Sequence, residues 1–238
     1  MVRTFTFGGK TSSDFGIYID APGIYKSPRR IVESIVIPGR NGTLTKDGKC
    51  FENVQLIYNC YIKNEAPQKI KLLQEHLLSE GGYRKLEDDY ETDCYRMARC
   101  FEEIDFDVLS IGFNAGTFKL TFDCMPQRFL KSGDRMVTIL KGNNHSFVNP
   151  SNFTSLPFIR VYGSGALDIG DIRIEIKRHT EPYIDIDCET RQCTYGLKRM
   201  GEFVSISGHR FPSFSKDETN VVCTGVDKAE ITPRWWKI

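Results

Sequence analysis

Beyond residue 134 the chain is a run of short β-prone segments, "RMVTIL", "PFIRVYGSGALDIG", "IRIEIK", "PYIDIDCETRQCTYG", "EFVSISG" and "NVVCTG". Gly, Asn, Pro or Asp separates them, at the roughly 8 to 12 residue spacing of sandwiches and jelly rolls. This rhythm constrains the fold more than any other feature. Side chains alternate between the two faces of a strand, and a strand with one apolar face must bury it against another layer. The C-terminal half is therefore expected to be two facing sheets, with no helix.

The first half is also rich in strand signals, at "TFTF" (4–7), "FGIYI" (15–19), "IVESIVIPGRNGTLT" (31–45) and "FENVQLIYNCYIK" (51–63). Asn41-Gly42 suits a tight turn because both residues tolerate positive φ. The clearest hairpin is "VLSIGFNAGTFKLTFDC" (108–124), where Leu109, Ile111 and Phe113 alternate up to Asn-Ala-Gly and Phe118, Leu120 and Phe122 alternate away from it. One stretch breaks the pattern. In "NEAPQKIKLLQEHLLSEGG" (64–82), Pro67 near the start, Ile70, Leu73 and Leu77 at helical spacing, and Gly81-Gly82 at the end predict an amphipathic helix over about 66–80. The texture changes after "CMPQRFLKSGD", which puts a domain boundary near 131–135, giving domains 1–132 and 133–238. The fold class is mainly β with two domains, a β-sandwich carrying one α-helix followed by a second β-sandwich.

The last eight residues, "ITPRWWKI", hold both tryptophans of the chain. Termini fray unless tied down, so an aromatic octet predicts a docked terminal strand that Pro233 can begin. Trp235 and Trp236 would then face opposite sides, one entering the core and the other needing a second apolar surface, from another domain or another subunit.

Charge is balanced, 32 basic against 31 acidic residues, which argues against a sequence-driven grip on nucleic acid or anionic lipid. The local exception is "EDDYETDCYRMARCFEEIDFD" (87–107), with nine acids against two arginines. No run approaches the roughly 18 apolar residues of a membrane helix. The start of the chain lacks a signal-peptide core, which predicts a protein kept in a cytoplasm unless lysis releases it. The eight cysteines form no CxxC pair and do not cluster with the four histidines, so no metal site is expected. Phosphate-loop, dinucleotide, zinc-protease and nucleophile-elbow motifs are all missing from the sequence. His76 reads as a partly exposed helix residue. No catalytic or cofactor-binding residue is assigned, and the chain is not expected to be an enzyme.

Taken in order, "FTFGGKTSSDFGIYI", "VIPGRNGTL", "DCMPQRFL", "NPSNFTSLPFIRVYGSGAL", "IDIDCETRQCTYG", "GHRFPSF" and "ITPRWWKI" resemble the distal tail (Dit) proteins of long non-contractile-tailed phages, the siphoviruses, chiefly those of Gram-positive hosts. The resemblance covers essentially the whole chain. It implies a structural hub of the tail tip or baseplate in the virion, assembled in the host cytoplasm. It implies a homo-hexameric ring between the tail tube protein and the tail-associated tip protein, with receptor-binding or adsorption modules on its rim. DNA would pass through the ring without specific binding, and no membrane or cofactor is involved. The N-terminal domain would form the ring and the C-terminal domain would be a galectin-like β-sandwich, or jelly roll, projecting outward. The acidic stretch 87–107 is a candidate lining of the channel. Interface or docking candidates are Pro38, Gly39, Arg40 and Asn41, together with Arg234, Trp235 and Trp236.

The competing reading is a carbohydrate-binding adhesion module. Galectin sugar sites use a His-x-Asn-x-Arg strand and a tryptophan followed three places later by glutamate. Here no asparagine stands two places after His145, His179 or His209, and Ile238 stands three places after Trp235. Fold alone does not confer sugar binding.

Overall fold

The structure is a computed structural model; it describes residues 3–102, the backbone of 106–110, and 115–238. The chain divides into two compact units, Met1–Arg128 with Ile238, and Phe129–Lys237.

In the first unit the strands are β1 (Phe5–Phe7), β2 (Lys10–Thr11), β3 (Ile17–Ile19), β4 (Ile24–Tyr25), β5 (Arg30–Val36), β6 (Thr43–Phe51) and β7 (Val54–Ile62). After helix α1 (Ala66–Leu78) come β8 (Arg84–Asp88), β9 (Cys94–Arg99), β10 (Phe106–Ser110) and β11 (Ala115–Leu130). The main sheet runs β2-β1-β8-β9-β11-β7-β3, with β10 beside β11 and β4 beside β7. A bridge between Arg3 and Ile19 brings the two ends of that path together, so the sheet curls around its own apolar face. Alternate residues of β7, Leu56, Tyr58, Cys60 and Ile62, point inward with Phe118, Leu120 and Phe122 of β11. The expected helix covers this interior. Its Ala66, Ile70, Leu73 and Leu77 are buried with the sheet residues, the i, i+3/i+4 stripe that an amphipathic helix needs. Arg84 donates to the last-turn carbonyls of His76 and Leu77 at 3.0 and 2.6 Å, satisfying acceptors that a helix end leaves open.

The hairpin expected over 108–124 is present as the antiparallel pair β10–β11, with Phe106 opposite Phe118 and Ser110 opposite Ala115. Its Ile111, Phe113 and Asn114 lie outside the described residues, as does the side chain of Leu109.

The second unit contains β12 (Val137–Leu140), β13 (Asn144–Val148), β14 (Phe158–Tyr162), β15 (Gly165–Ile169), β16 (Ile172–Ile176), β17 (Ile184–Asp187) and β18 (Gln192–Tyr195). It continues with β19 (Lys198–Arg199), β20 (Val204–Ile206), β21 (Glu218–Val222), β22 (Lys228–Thr232) and β23 (Trp236–Lys237). One sheet is β12-β22-β14-β17-β18-β19 and the other β13-β21-β15-β16-β20. Ile159, Val161, Ile184, Ile186 and Ile231 of the first sheet share one core with Leu167, Ile174 and Val221 of the second, so the unit is a two-sheet sandwich. Gly165 sits at φ 135° where its missing Cβ lets the backbone of Gly225 approach, the physical reason for the glycines of "GSGAL". No helix among the described residues is long and apolar enough to cross a membrane.

Candidate functional site

One element of the first unit is excluded from its core. Among the described residues β5 and β6 pair only with each other, as a two-stranded sheet, and every residue from Arg29 to Cys50 is exposed. The register sets Val32 opposite Asp47, Glu33 opposite Lys46, Ser34 opposite Thr45, Ile35 opposite Leu44 and Val36 opposite Thr43. One face therefore carries Ile35 and Leu44 beside the Glu33–Lys46 ion pair at 3.4 Å. The other carries Val32, Ser34, Val36, Thr43 and Thr45. Apolar side chains face solvent on both sides, up to 74% exposure at Val36. Isolated two-stranded ribbons are marginal in water. This arm holds its shape through a forked contact at its base, where Arg30 Nε and Nη2 donate to Asp47 at 3.0 and 2.5 Å. That hydrogen bond, and then the Lys49 backbone N–H, lower the Asp47 carboxyl to about 2.

At the tip, Arg40 N donates to Ile37 O at 3.2 Å and Gly39 has φ 79°. Pro38 and Gly39 are thus the central pair of a type II turn, in which only glycine takes positive φ without strain. This corrects the expectation for Asn41-Gly42: only Gly42 adopts positive φ, at 83°, and the hydrogen-bonded turn falls earlier because Pro38 presets φ for its first central position. The four candidates Pro38, Gly39, Arg40 and Asn41 thus form one exposed tip.

At the base of the arm, a groove of about 570 Å³ runs past Ile24, Lys26, Arg29, Glu52, Val54 and Ile57. Sequence reasoning missed it. Its walls come from segments some 30 residues apart, and no periodic signal links them.

The remaining candidates, Arg234, Trp235 and Trp236, lie in the second unit. Trp235 is 5% exposed and packs in the core 5.5 Å from Phe214. Trp236 is half-buried and stacks on Phe153 at 4.5 Å, its Nε1 donating to Thr154 O at 3.0 Å. Phe153 of the same unit supplies the second apolar surface, so Trp236 does not require another subunit for it. Arg234, between β22 and β23, stands at φ 56°, a kink just before the two indoles. Arg234 holds that kink by donating to Asp187 at 2.8 Å and Glu189 at 3.4 Å. Its N–H bonds Gly133 O at 2.9 Å, and Leu130 N–H bonds Trp235 O at 2.8 Å.

Acids of the stretch 87–107 serve as internal acceptors. Asp88 accepts from the buried Tyr58 hydroxyl at 2.5 Å and from the N–H groups of Tyr90 and Glu91 at 2.9 and 2.8 Å. Asp89 accepts from Thr4 N and Oγ1, and Glu91 pairs with Arg128 at 2.6 Å. Residues 103–105 of this stretch lie outside the described residues.

Several of the described histidines and cysteines have structural partners. His76 bonds Phe7 O at 2.7 Å and stacks on Phe15. Burial raises the thiols of Cys60, Cys124 and Cys188 to about 12 and those of Cys100 and Cys193 to about 11, so thiolate is scarce there. Among the described residues no group of three His, Cys, Asp or Glu could hold a metal ion.

A helix-bearing curled sheet, an exposed two-stranded arm and a second two-sheet unit define a mainly β, two-unit architecture. That architecture is shared with solved proteins of a phage adsorption hub and a phage baseplate. Over 100% of both chains it matches the crystal structure of the phage SPP1 Dit (gp 19.1) protein, titled a paradigm of the hub adsorption apparatus in phages infecting Gram-positive hosts, with a TM-score of 0.67 at 12% identity. It also matches chains of the phage P2 baseplate in its activated conformation, with Ca (TM-score 0.54, 13% identity) and with Sr (0.54, 12%), over 97% of each chain. No family model and no curated protein matches the sequence.

Proposed function

We propose that the chain is a structural hub of a long non-contractile phage tail tip, and that six copies close into a ring. In this reading the ring joins the tail tube protein to the tail-associated tip protein, carries receptor-binding or adsorption modules, and lets DNA pass through its centre. The full-length likeness to a phage hub supports the architecture. The observation that carries the assembly reading is the arm. Six of its large apolar side chains, Ile31, Val32, Ile35, Val36, Ile37 and Leu44, are between 37% and 74% exposed on a ribbon with no third strand among the described residues. Covering them would contribute on the order of 5–9 kcal/mol per arm before association costs. A closed cyclic assembly needs a heterologous joint, in which one patch meets a different one, and a durable joint exceeds about 1,000 Å².

The test is mass in solution by light scattering, followed by negative-stain imaging. A ring of six 27.2 kDa chains has a mass of roughly 163 kDa and a central hole. A monomer under every condition tried, never incorporated into a particle, would overturn the reading.

A further inference from the structure

The arm is one half of a heterologous joint, and the first unit also contains a surface suited to be the other half. We propose that the groove at the base of the arm receives the arm tip of a second copy of this chain; this rests on the ring reading above. The groove offers an apolar floor, with Ile24 59% exposed beside Val54 and Ile57, and its volume of about 570 Å³ falls in the range of sites that enclose several groups of a ligand. The tip offers matching chemistry in Val36, Ile37 and Pro38, followed by the cation of Arg40.

Of the two acids lining the groove, Asp123 is already bonded to Arg99 at 2.8 Å. Glu52 is therefore the partner assigned to Arg40. Lys26 and Arg29 also line the groove, so the acid must be met by the tip's single cation in one orientation, which fixes the direction of insertion.

A chain cannot fill its own groove with its own tip. The seven residues of β5 plus the turn carry the tip about 25 Å from the base at some 3.3 Å per residue, so the occupant comes from another copy. Tip-to-base contact repeats head to tail, as a rotating interface requires. In a six-fold ring the spacing between neighbouring equivalent points equals their distance from the axis. Arms lying in the ring plane with a step of about 25 Å would place the joints that far out and leave the centre open.

Cysteine cross-linking of the full chain tests this. Cys50, exposed on the arm, is first replaced by serine. In that background Asn41→Cys marks the tip and Gln55→Cys marks the groove. Mild oxidation of the two proteins mixed should give a disulfide-linked dimer that neither forms alone, and the double variant should give a ladder ending at six rungs. The same samples are imaged. Rings without the mixed cross-link overturn the pairing of tip with groove while leaving the ring itself intact; absence of rings overturns both.

Discussion

Replacing Trp235 by alanine tests whether the C-terminal octet is part of the second unit's core. The indole is 5% exposed and touches the Phe214 ring at 5.5 Å. Its removal takes roughly 200 Å² of apolar area from the interior, about 4 kcal/mol after allowing for the remaining methyl group, within the usual 3–5 kcal/mol for such truncations. With a urea slope of about 1.3 kcal/mol/M for a body of this size, the unfolding midpoint should fall by about 3 M. The readout is built into the molecule. Both tryptophans belong to this unit, so emission from the remaining Trp236 follows its unfolding alone. Trp236→Ala is the contrast: it loses one ring stack and one hydrogen bond on a half-buried side chain, about 1–2 kcal/mol. A shift below about 0.5 M for Trp235→Ala, or equal shifts for both variants, would refute the docking argument.

Tyr58→Phe keeps the ring in its stack with Phe5 at 5.6 Å but removes the donor to the half-buried Asp88 Oδ2, and should cost the first unit about 1 kcal/mol in thermal unfolding by circular dichroism. An unchanged melting temperature would mean the Tyr58–Asp88 bond is not formed. The Asp47 carboxyl should titrate near 2 by carbon-detected NMR, against about 4 for an unpaired aspartate. Because its folded value is depressed, its support of the arm is complete above about pH 4 and is lost as pH falls through 2. An ordinary value would break the Arg30 fork. Among the eight thiols, Cys50 alone is exposed and should react with a disulfide reagent at the rate of a free thiol while the protein is folded. Fast release of further thiols would contradict the buried cores.

The sequence carried those parts of the fold that depend on neighbours along the chain. Ile70, Leu73 and Leu77 announce α1 because a helix brings them onto one stripe locally, and Phe118, Leu120 and Phe122 announce the inward face of β11 for the same reason at period two. The arm was legible as a β-run but not as an arm. "IVESIVI" has the same alternation whether its apolar residues meet a core or a partner, and what separates the two is that no third strand among the described residues lies beside β5 and β6. Pro38-Gly39 and Asn41-Gly42 both satisfy turn chemistry and both lie in the loop closed by Val36 and Thr43; the hydrogen bond from Arg40 N to Ile37 O puts the turn on the first. Trp235 and Trp236 are visible as a pair, but the rings they pack on, Phe214 and Phe153, are distant in sequence, as are the Asp187 and Glu189 that hold the kink at Arg234.

The bareness of the arm bears on how assembly proceeds in time. A ribbon held mainly by its own ladder and one forked ion pair belongs to the least protected class of native structure, opening and re-forming long before the body of the protein unfolds. In the proposed ring each joint would then form with an element that opens easily, which speeds its release. Misplaced copies could let go and try again before the circle closes, whereas the last joint to form would hold every arm at once.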